Sequence, residues 1–338
     1  MTHLENTVYI NVTSTDPAFN LALEQYVFDE LPRDRQYFLF WQNQNAIIIG
    51  KHQNTLAEIN EAYVRERGIR IVRRLSGGGA VYHDLGNLNY TWISDAGDSA
   101  QVDLRKFCQP VADALVSLGA DAQVSGRNDI LIAGQKVSGN AQYIRDSRVM
   151  HHGTLLFDSD LSVLGGALHA DPAKIQAKGV RSVRSRVTTI RPHLQQEVSL
   201  ADFKARILQH LFPNGVMEYT ITGADIAAIE ELRRQRYDTW DWNYGASPPC
   251  TLVRKQRLEG CGTVEAHIQL EKGRIAAIAF LGDFFSTVEP EELAEKLVGL
   301  RLTVADCRPV LEDAGVSRFF TGAQPQDILT LLCEGSTP

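Results

Sequence analysis

Cysteine is sparse in this chain and carries no pattern. Cys108, Cys250, Cys261, Cys307 and Cys333 are scattered through 338 residues, odd in number and without a C-x-x-C pair. Such spacing argues against a disulfide framework or a structural zinc site and fits a reducing compartment. No apolar run approaches the roughly 20 residues that a membrane helix needs. Residues 1–6 lack a basic segment followed by an apolar one, so no secretory signal is read there and a soluble, cytoplasmic protein is expected. Positive charge is in deficit: 34 Lys and Arg face 41 Asp and Glu, a net charge of -7. That balance argues against a protein that grips nucleic acid nonspecifically. There is no G-x-S-x-G nucleophile elbow and no G-x-x-x-x-G-K-[ST] phosphate loop. His83, His151 and His152 do not follow a zinc spacing. An enzyme with this inventory works by positioning and charge stabilisation, without a covalent protein intermediate.

What is present is a globular composition with 44% hydrophobic residues, enough for a sizeable core in one large domain or two smaller ones. Asp16 and Pro17 read as the cap and first position of a helix running to Pro32. Strands are expected at 37–41, 46–50, 69–73, 81–83 and 89–93, and helices at 60–67, 103–118, 172–178, 200–211 and 225–236. Residues 122–157 are β-rich, with a hairpin turning at Gly134. Gly245-Ala246-Ser247-Pro248-Pro249 is the best linker, which predicts domains at 1–246 and 247–338. Beyond it come strands near 263–270 and 274–281 and a helix from Pro290.

The most informative segment is Arg73-Arg74-Leu75-Ser76-Gly77-Gly78-Gly79-Ala80-Val81-Tyr82-His83. Three consecutive glycines cost backbone entropy. Their N–H groups can turn toward one spot and hold an anion, and a neighbouring arginine adds a fork of donors. The same segment also reads as a tight turn between two strands. Lys136, Ser138 and Asn140 alternate on a strand and are expected on one face, with Val137 and Ala141 on the other. Gly139 among them suggests close approach by a ligand or another backbone. Lys136 is therefore either an anion-facing cation or a solvated edge lysine. Asn128 and Asp129 fit an Asx-type turn, a nucleotide contact or a Mg²⁺ site. His151 and His152, followed by Gly153 and Thr154, must point to opposite faces of a strand, one free for a ligand and one packed. Lys178–Arg186 is a basic loop suited to a pyrophosphate or an acidic partner, or simply solvated.

Taken in order, the Arg73–Asn87 segment, Gly126-Arg127-Asn128-Asp129, Lys136-Val137-Ser138-Gly139, His151-His152-Gly153-Thr154 and Lys178–Val187 closely resemble the lipoate–protein ligase A family. Phe19-Asn20-Leu21-Ala22 fits as well. The resemblance implies an α+β fold: a mixed-sheet catalytic domain of the biotin/lipoate-ligase type with a small α+β C-terminal accessory domain. It implies activation of lipoate by ATP and Mg²⁺ to lipoyl-AMP. The lipoyl group then passes to a lysine of a carrier, such as a 2-oxoacid dehydrogenase E2 subunit or the glycine-cleavage H protein. Neither nucleic acid nor membrane is an implied partner. By this match Lys136 is the catalytic cation. Arg74, Ser76, Gly77, Gly78, Gly79, Ala80, Val81, Tyr82, His83, Asn128, Asp129, Ser138, Gly139, His152, Gly153 and Thr154 line the ATP and lipoyl-AMP site. Leu21 walls the lipoyl tail and Asp129 approaches Mg²⁺, with no tightly bound metal. The rivals are an octanoyltransferase of the same superfamily, which needs a cysteine thioester, and a non-catalytic carrier-binding homologue. No cysteine falls within these motifs.

Overall fold

In the computed structural model the described residues are 6–95, 104–125, 129–168, 187–247, 250–282, 284 and 286–334. They form two compact units, one of the described residues within 6–51, 70–165 and 187–239, the other of those within 52–69, 166–168 and 240–334. Residues 52–69, 166–168 and 240–246 thus group with the C-terminal stretch, and the units interleave along the chain instead of meeting at a single cut.

The first unit is built on strands β1 (Thr7–Asn11), β2 (Gln36–Trp41), β3 (Ala46–Ile49), β4 (Arg70–Arg73), β5 (Val81–His83), β6 (Asn87–Asp95), β7 (Ala122–Ser125), β8 (Asp129–Ile132), β9 (Gln135–Arg145), β10 (Arg148–Leu156) and β11 (Met217–Glu218). Its longer helices are α1 (Pro17–Glu30), α2 (Leu104–Ser117), α3 (Leu200–Leu211) and α4 (Gly223–Leu232). Eight strands make one mixed sheet in the order β11-β1-β2-β6-β10-β9-β8-β7, and β4-β3-β5 make a second. In the large sheet β1 runs parallel to β2 and β11, and the other pairs are antiparallel. β2 and β6 are almost wholly buried, as a sheet covered on both faces requires.

One face packs Phe38, Tyr90 and Trp92 against Cys108, Val111 and Leu115 of α2 and Phe203 and Ile207 of α3. Each such aromatic is worth about 1.5–3 kcal/mol relative to exposure. α1 has the predicted start: the Asp16 carboxylate accepts from the N–H groups of Ala18 (2.9 Å) and Phe19 (3.1 Å), with Pro17 at the first position. The predicted β8–β9 hairpin turns at Ala133 and Gly134, both at positive φ (49° and 76°), the geometry of a two-residue turn.

The second unit holds the antiparallel sheet β12 (Cys250–Leu258), β13 (Gly262–Glu271) and β14 (Arg274–Gly282), with α5 (Val304–Ala314) and α6 (Pro325–Glu334) on its apolar side. Residues 52–69 are tied into it. Thr55 Oγ1 donates to the Asn243 carbonyl (2.6 Å), and buried Arg254 on β12 donates to Glu61 Oε1 (2.8 Å). Burial pushes the Glu61 carboxyl up to about 7, against the opposing pull of Arg254. No helix among the described residues is long and apolar enough to cross a membrane. Cys108, Cys261, Cys307 and Cys333 are free thiols, all buried.

Candidate active site

The glycine segment links β4 to β5, and Arg74 holds its shape. The buried Arg74 guanidinium donates through Nε to Ser76 Oγ (3.0 Å), through Nη1 to the Ile48 carbonyl (3.1 Å), and through Nη2 to the carbonyls of Gly77 (2.7 Å) and Gly79 (2.9 Å). Gly78 lies at φ 96°, and a Cβ there would stand 2.9 Å from Arg74 Nη2. The turn therefore needs glycine at 78 both for its backbone and for the cation beneath it. Burial lowers Arg74 to about 10, so it keeps its charge at neutral pH. Arg73 is buried as well and donates to the carbonyls of Gly50 (3.0 Å) and Lys51 (3.2 Å). Gly78 and Gly79 themselves are exposed.

Strand alternation does not place Lys136 as expected. Leu131 pairs with Lys136 and Ile130 with Ser138, so Val137 is the extra residue of a bulge. The bulge turns Lys136 away from the Ser138–Asn140 face and onto the Gly139 face. A Cβ on Gly139 would lie 2.7 Å from Lys136 Nζ. Asp129, directly opposite Gly139, points the same way and pairs with Lys136 Nζ at 2.7 Å. The lysine side chain keeps 36% of its surface open, which leaves the amine reachable. Ser138 is fully buried on the other side, where it accepts from Asn140 Nδ2 (3.2 Å).

The same face of the sheet carries His152 and Thr154. His152 is opposite Ala141 on β9 and Thr91 on β6, and Thr154 Oγ1 accepts from the Gly139 N–H (3.1 Å). His152 then joins the sheet to the glycine turn. Its Nε2 lies 2.6 Å from Ser76 Oγ, and its Nδ1 lies 3.1 Å from Glu24 Oε1 of α1. Thr91 Oγ1 donates to that carboxylate and accepts from Trp41 Nε1 (2.8 Å). Arg74, Ser76, His152, Glu24 and Thr91 are thus linked through one network, and the Gly139–Thr154 bond, Lys136 and Asp129 lie on the same face of the sheet.

The remaining predicted residues lie around this frame. Tyr82 donates to Asn45 Oδ1 (3.1 Å). Buried His83 meets Asn43 Nδ2 (3.1 Å), and burial, with Arg74 and His152 adding to it, pushes its imidazole down to about 3. Ala80 and Val81 are half-buried, and Leu21 is buried within α1. Gly153 points to the opposite face, where a Cβ would stand 2.0 Å from Asn140 Oδ1 and 2.7 Å from the Tyr90 ring. Asn128, the Gly126-Arg127 pair, the helix expected at 172–178 and the basic loop 178–186 lie outside the described residues. Glu24, which stands behind His152, is the residue that the sequence reading missed. Its signal was a carboxylate set among the apolar residues Leu21, Leu23, Val27 and Phe28 of the helix.

Among the described residues no three His, Cys, Asp or Glu side chains gather as a metal cage. Cys108 does touch a motif residue, contrary to the expectation from sequence: its Sγ lies 3.9 Å from His151 Nε2. The contact is on the other face of the sheet, with Phe107 stacked on His151 (4.9 Å). Gln142 Nε2 donates to His151 Nδ1 (3.2 Å), which puts the imidazole proton on Nε2, toward the sulfur. In that tautomer His151 cannot take the thiol proton, so the pair is packed, not activated.

Comparison with known proteins identifies the family. Residues 16–212 match the lipoyl protein ligase A/B catalytic domain, and residues 247–332 match the bacterial lipoate protein ligase C-terminus. Lipoate-protein ligase LplJ of Bacillus subtilis is 42% identical over 327 residues, covering 95% of this chain and 98% of that protein. A solved structure of a bipartite lipoate protein ligase from Thermoplasma acidophilum, described with its E2 lipoyl domain, superposes with a TM-score of 0.65. It is 26% identical and covers 71% of this chain and 97% of its own. A lipoate-protein ligase A structure with bound ATP superposes with a TM-score of 0.60 at 25% identity, over 71% of this chain and 98% of its own. A catalytic-domain match over more than half the chain, with a relative similar along almost its whole length, shows that this protein belongs to the lipoate–protein ligase family.

Proposed function

We propose that this chain joins lipoate to ATP and passes the lipoyl group to a carrier lysine, with Lys136 as the catalytic cation. The observation that carries this reading is the placement of the Lys136 amine over side-chain-free Gly139, on the face shared by Thr154 and His152. In the first step a carboxylate oxygen attacks the α-phosphorus and pyrophosphate leaves. Two anions must approach each other, and a fixed cation offsets their repulsion. Lys136 would bridge the acyl oxygen and the α-phosphate, exchanging its ion pair with Asp129 for the substrate. The turn at 77–79 is the proposed wall of the phosphate and lipoyl pocket, with Arg74 as its brace. In the second step a lysine amine attacks the acyl carbon and AMP leaves.

Mg²⁺ enters as part of the ATP complex, where it neutralises phosphate charge. Asp129 is the carboxylate that would hold it there. The carriers proposed are E2 lipoyl domains and the glycine-cleavage H protein. Buried free thiols fit a cytoplasmic location.

The test is incubation of the full chain with ATP, Mg²⁺ and either lipoate, octanoate or biotin, followed by mass spectrometry. Lipoyl-AMP is expected, and lipoylated E2 domain once that acceptor is added. No acyl-AMP with any of the three acids would overturn the reading.

A further inference from the structure

Glu24, His152 and Ser76 stand in a hydrogen-bonded line on the same face of the sheet as Lys136. Glu24 is 1% exposed, and its Oε1 and Oε2 lie 3.1 and 3.3 Å from His152 Nδ1. A carboxylate only accepts, so the Nδ1 of His152 carries the proton and Nε2 is the basic nitrogen. Nε2 in turn faces Ser76 Oγ at 2.6 Å, and Arg74 Nε donates to that same oxygen at 3.0 Å. The serine proton is therefore committed to the imidazole, and the tautomer is held from both ends. An acid, an imidazole and a hydroxyl in this order form a proton-accepting relay.

The two half-reactions differ in their need for one. A carboxylate attacking phosphorus has no proton to lose. An amine attacking an acyl-adenylate must lose one before a stable amide remains. Resting on the ligase reading above, we infer that Ser76 and His152 form the proton relay of the amide-forming step, with Glu24 as the positioning residue behind them. As the carrier amine bonds to the acyl carbon, its surplus proton passes to Ser76 Oγ while the serine's own proton passes to His152 Nε2. The acyl C–O bond to phosphate breaks, AMP leaves with the electron pair, and the imidazolium, paired with Glu24, returns its proton to solvent. Atoms and charge balance without a further reactant. Among the described residues the ionisable groups around His152 are Glu24 from α1, Arg74 from the turn and His83 from β5, with Lys136 and Asp129 on its face of the sheet and His151 on the opposite one.

The decisive variant is Glu24→Gln, because Glu24 is placed against no substrate. Its amide can donate to Nδ1 and push the ring proton to Nε2, where it blocks the relay. Adenylation, read as lipoate-dependent exchange of pyrophosphate into ATP, is expected within about twofold of the unmodified chain. Transfer from preformed lipoyl-AMP to an E2 lipoyl domain is expected to slow on the order of 10²-fold. Its rate should climb steadily with pH where the unmodified chain levels off. Capture by hydroxylamine, an amine uncharged at neutral pH, should change little, and Glu24→Asp should recover part of the loss. Equal losses in both half-reactions, or unimpaired transfer, would overturn the relay. If Glu24→Gln does not fold, Ser76→Ala decides: the ratio of transfer to adenylation must drop at least tenfold, and an unchanged ratio rejects the relay. Failure of the unmodified chain to make lipoyl-AMP would instead remove the ligase reading, and the relay with it.

Discussion

His151 and His152 are neighbours in sequence and opposites in chemistry. His151 lies among Phe107, Tyr90, Gln142 and Cys108, and burial pushes its imidazole well below the usual range. His152 faces a carboxylate and a hydroxyl instead. The strand's period of two sends one ring to the helix-packed side and the other to the side where Lys136 and the glycine turn are found. Identical residues take opposite surroundings by a single step along the chain. Gly139 and Gly153 repeat the contrast, one beneath the Lys136 amine and the other beneath a tyrosine ring.

The strongest way to test that contrast is to remove the amine. Lys136→Ala should lower lipoyl-AMP formation by at least about 10²-fold while the circular dichroism spectrum and melting temperature hold, given what one preorganised charge contributes. Retained pyrophosphate release would take Lys136 out of the mechanism. The two glycines come next. Gly139→Ala places a methyl against the flexible end of Lys136, so the fold should survive while adenylation drops about tenfold, on the order of what misplacing a catalytic group costs. Gly153→Ala drives its methyl into Asn140 and Tyr90, and should cost about 1–3 kcal/mol in a denaturant titration, with the folded fraction still active. Identical phenotypes for the pair would dissolve the distinction between the faces.

Acid offers a milder probe. Because His83 is held down to about 3 from an ordinary 6.5, the folded chain resists a proton that the unfolded chain accepts. For this one group stability is flat above about pH 6.5 and falls below it by up to about 1.4 kcal/mol per pH unit until pH nears 3, while Glu61, raised to about 7, works in the opposite direction between about pH 4.5 and 7. Buried His151 adds in the same direction as His83. In a Glu61→Gln background, which removes the opposing carboxyl, urea midpoints that do not move between pH 7 and 5 would contradict the neutral, buried state of both rings. The smallest effect is expected from Cys108→Ala: activity within about twofold, with a modest loss of packing. A folded but inactive variant would revive the thioester alternative.

Much of this was legible in the chain because it rests on local rules. Asp16 and Pro17 announce α1, and Ala133-Gly134 sits where two alternating runs must reverse. The histidine pair obeys strand alternation. Lys136 was identified as the candidate cation but assigned to the wrong face, because a one-residue bulge at Val137 depends on how β8 pairs and leaves no mark in composition. Glu24 was hidden differently. A buried carboxylate is tolerable only when partners on distant strands satisfy it, and Thr91 and His152 lie 67 and 128 residues away. The capture of 52–69 by the second unit likewise depends on Arg254 and Asn243, nearly two hundred residues downstream.

The distribution of sulfur has a practical consequence. Cys108 lies in the core of the first unit, whereas Cys261, Cys307 and Cys333 lie in that of the second. A pulse of alkylating reagent followed by peptide mass mapping would time the opening of each core separately, without any engineered label. The native chain thereby carries its own clock for whether the halves unravel together or in turn.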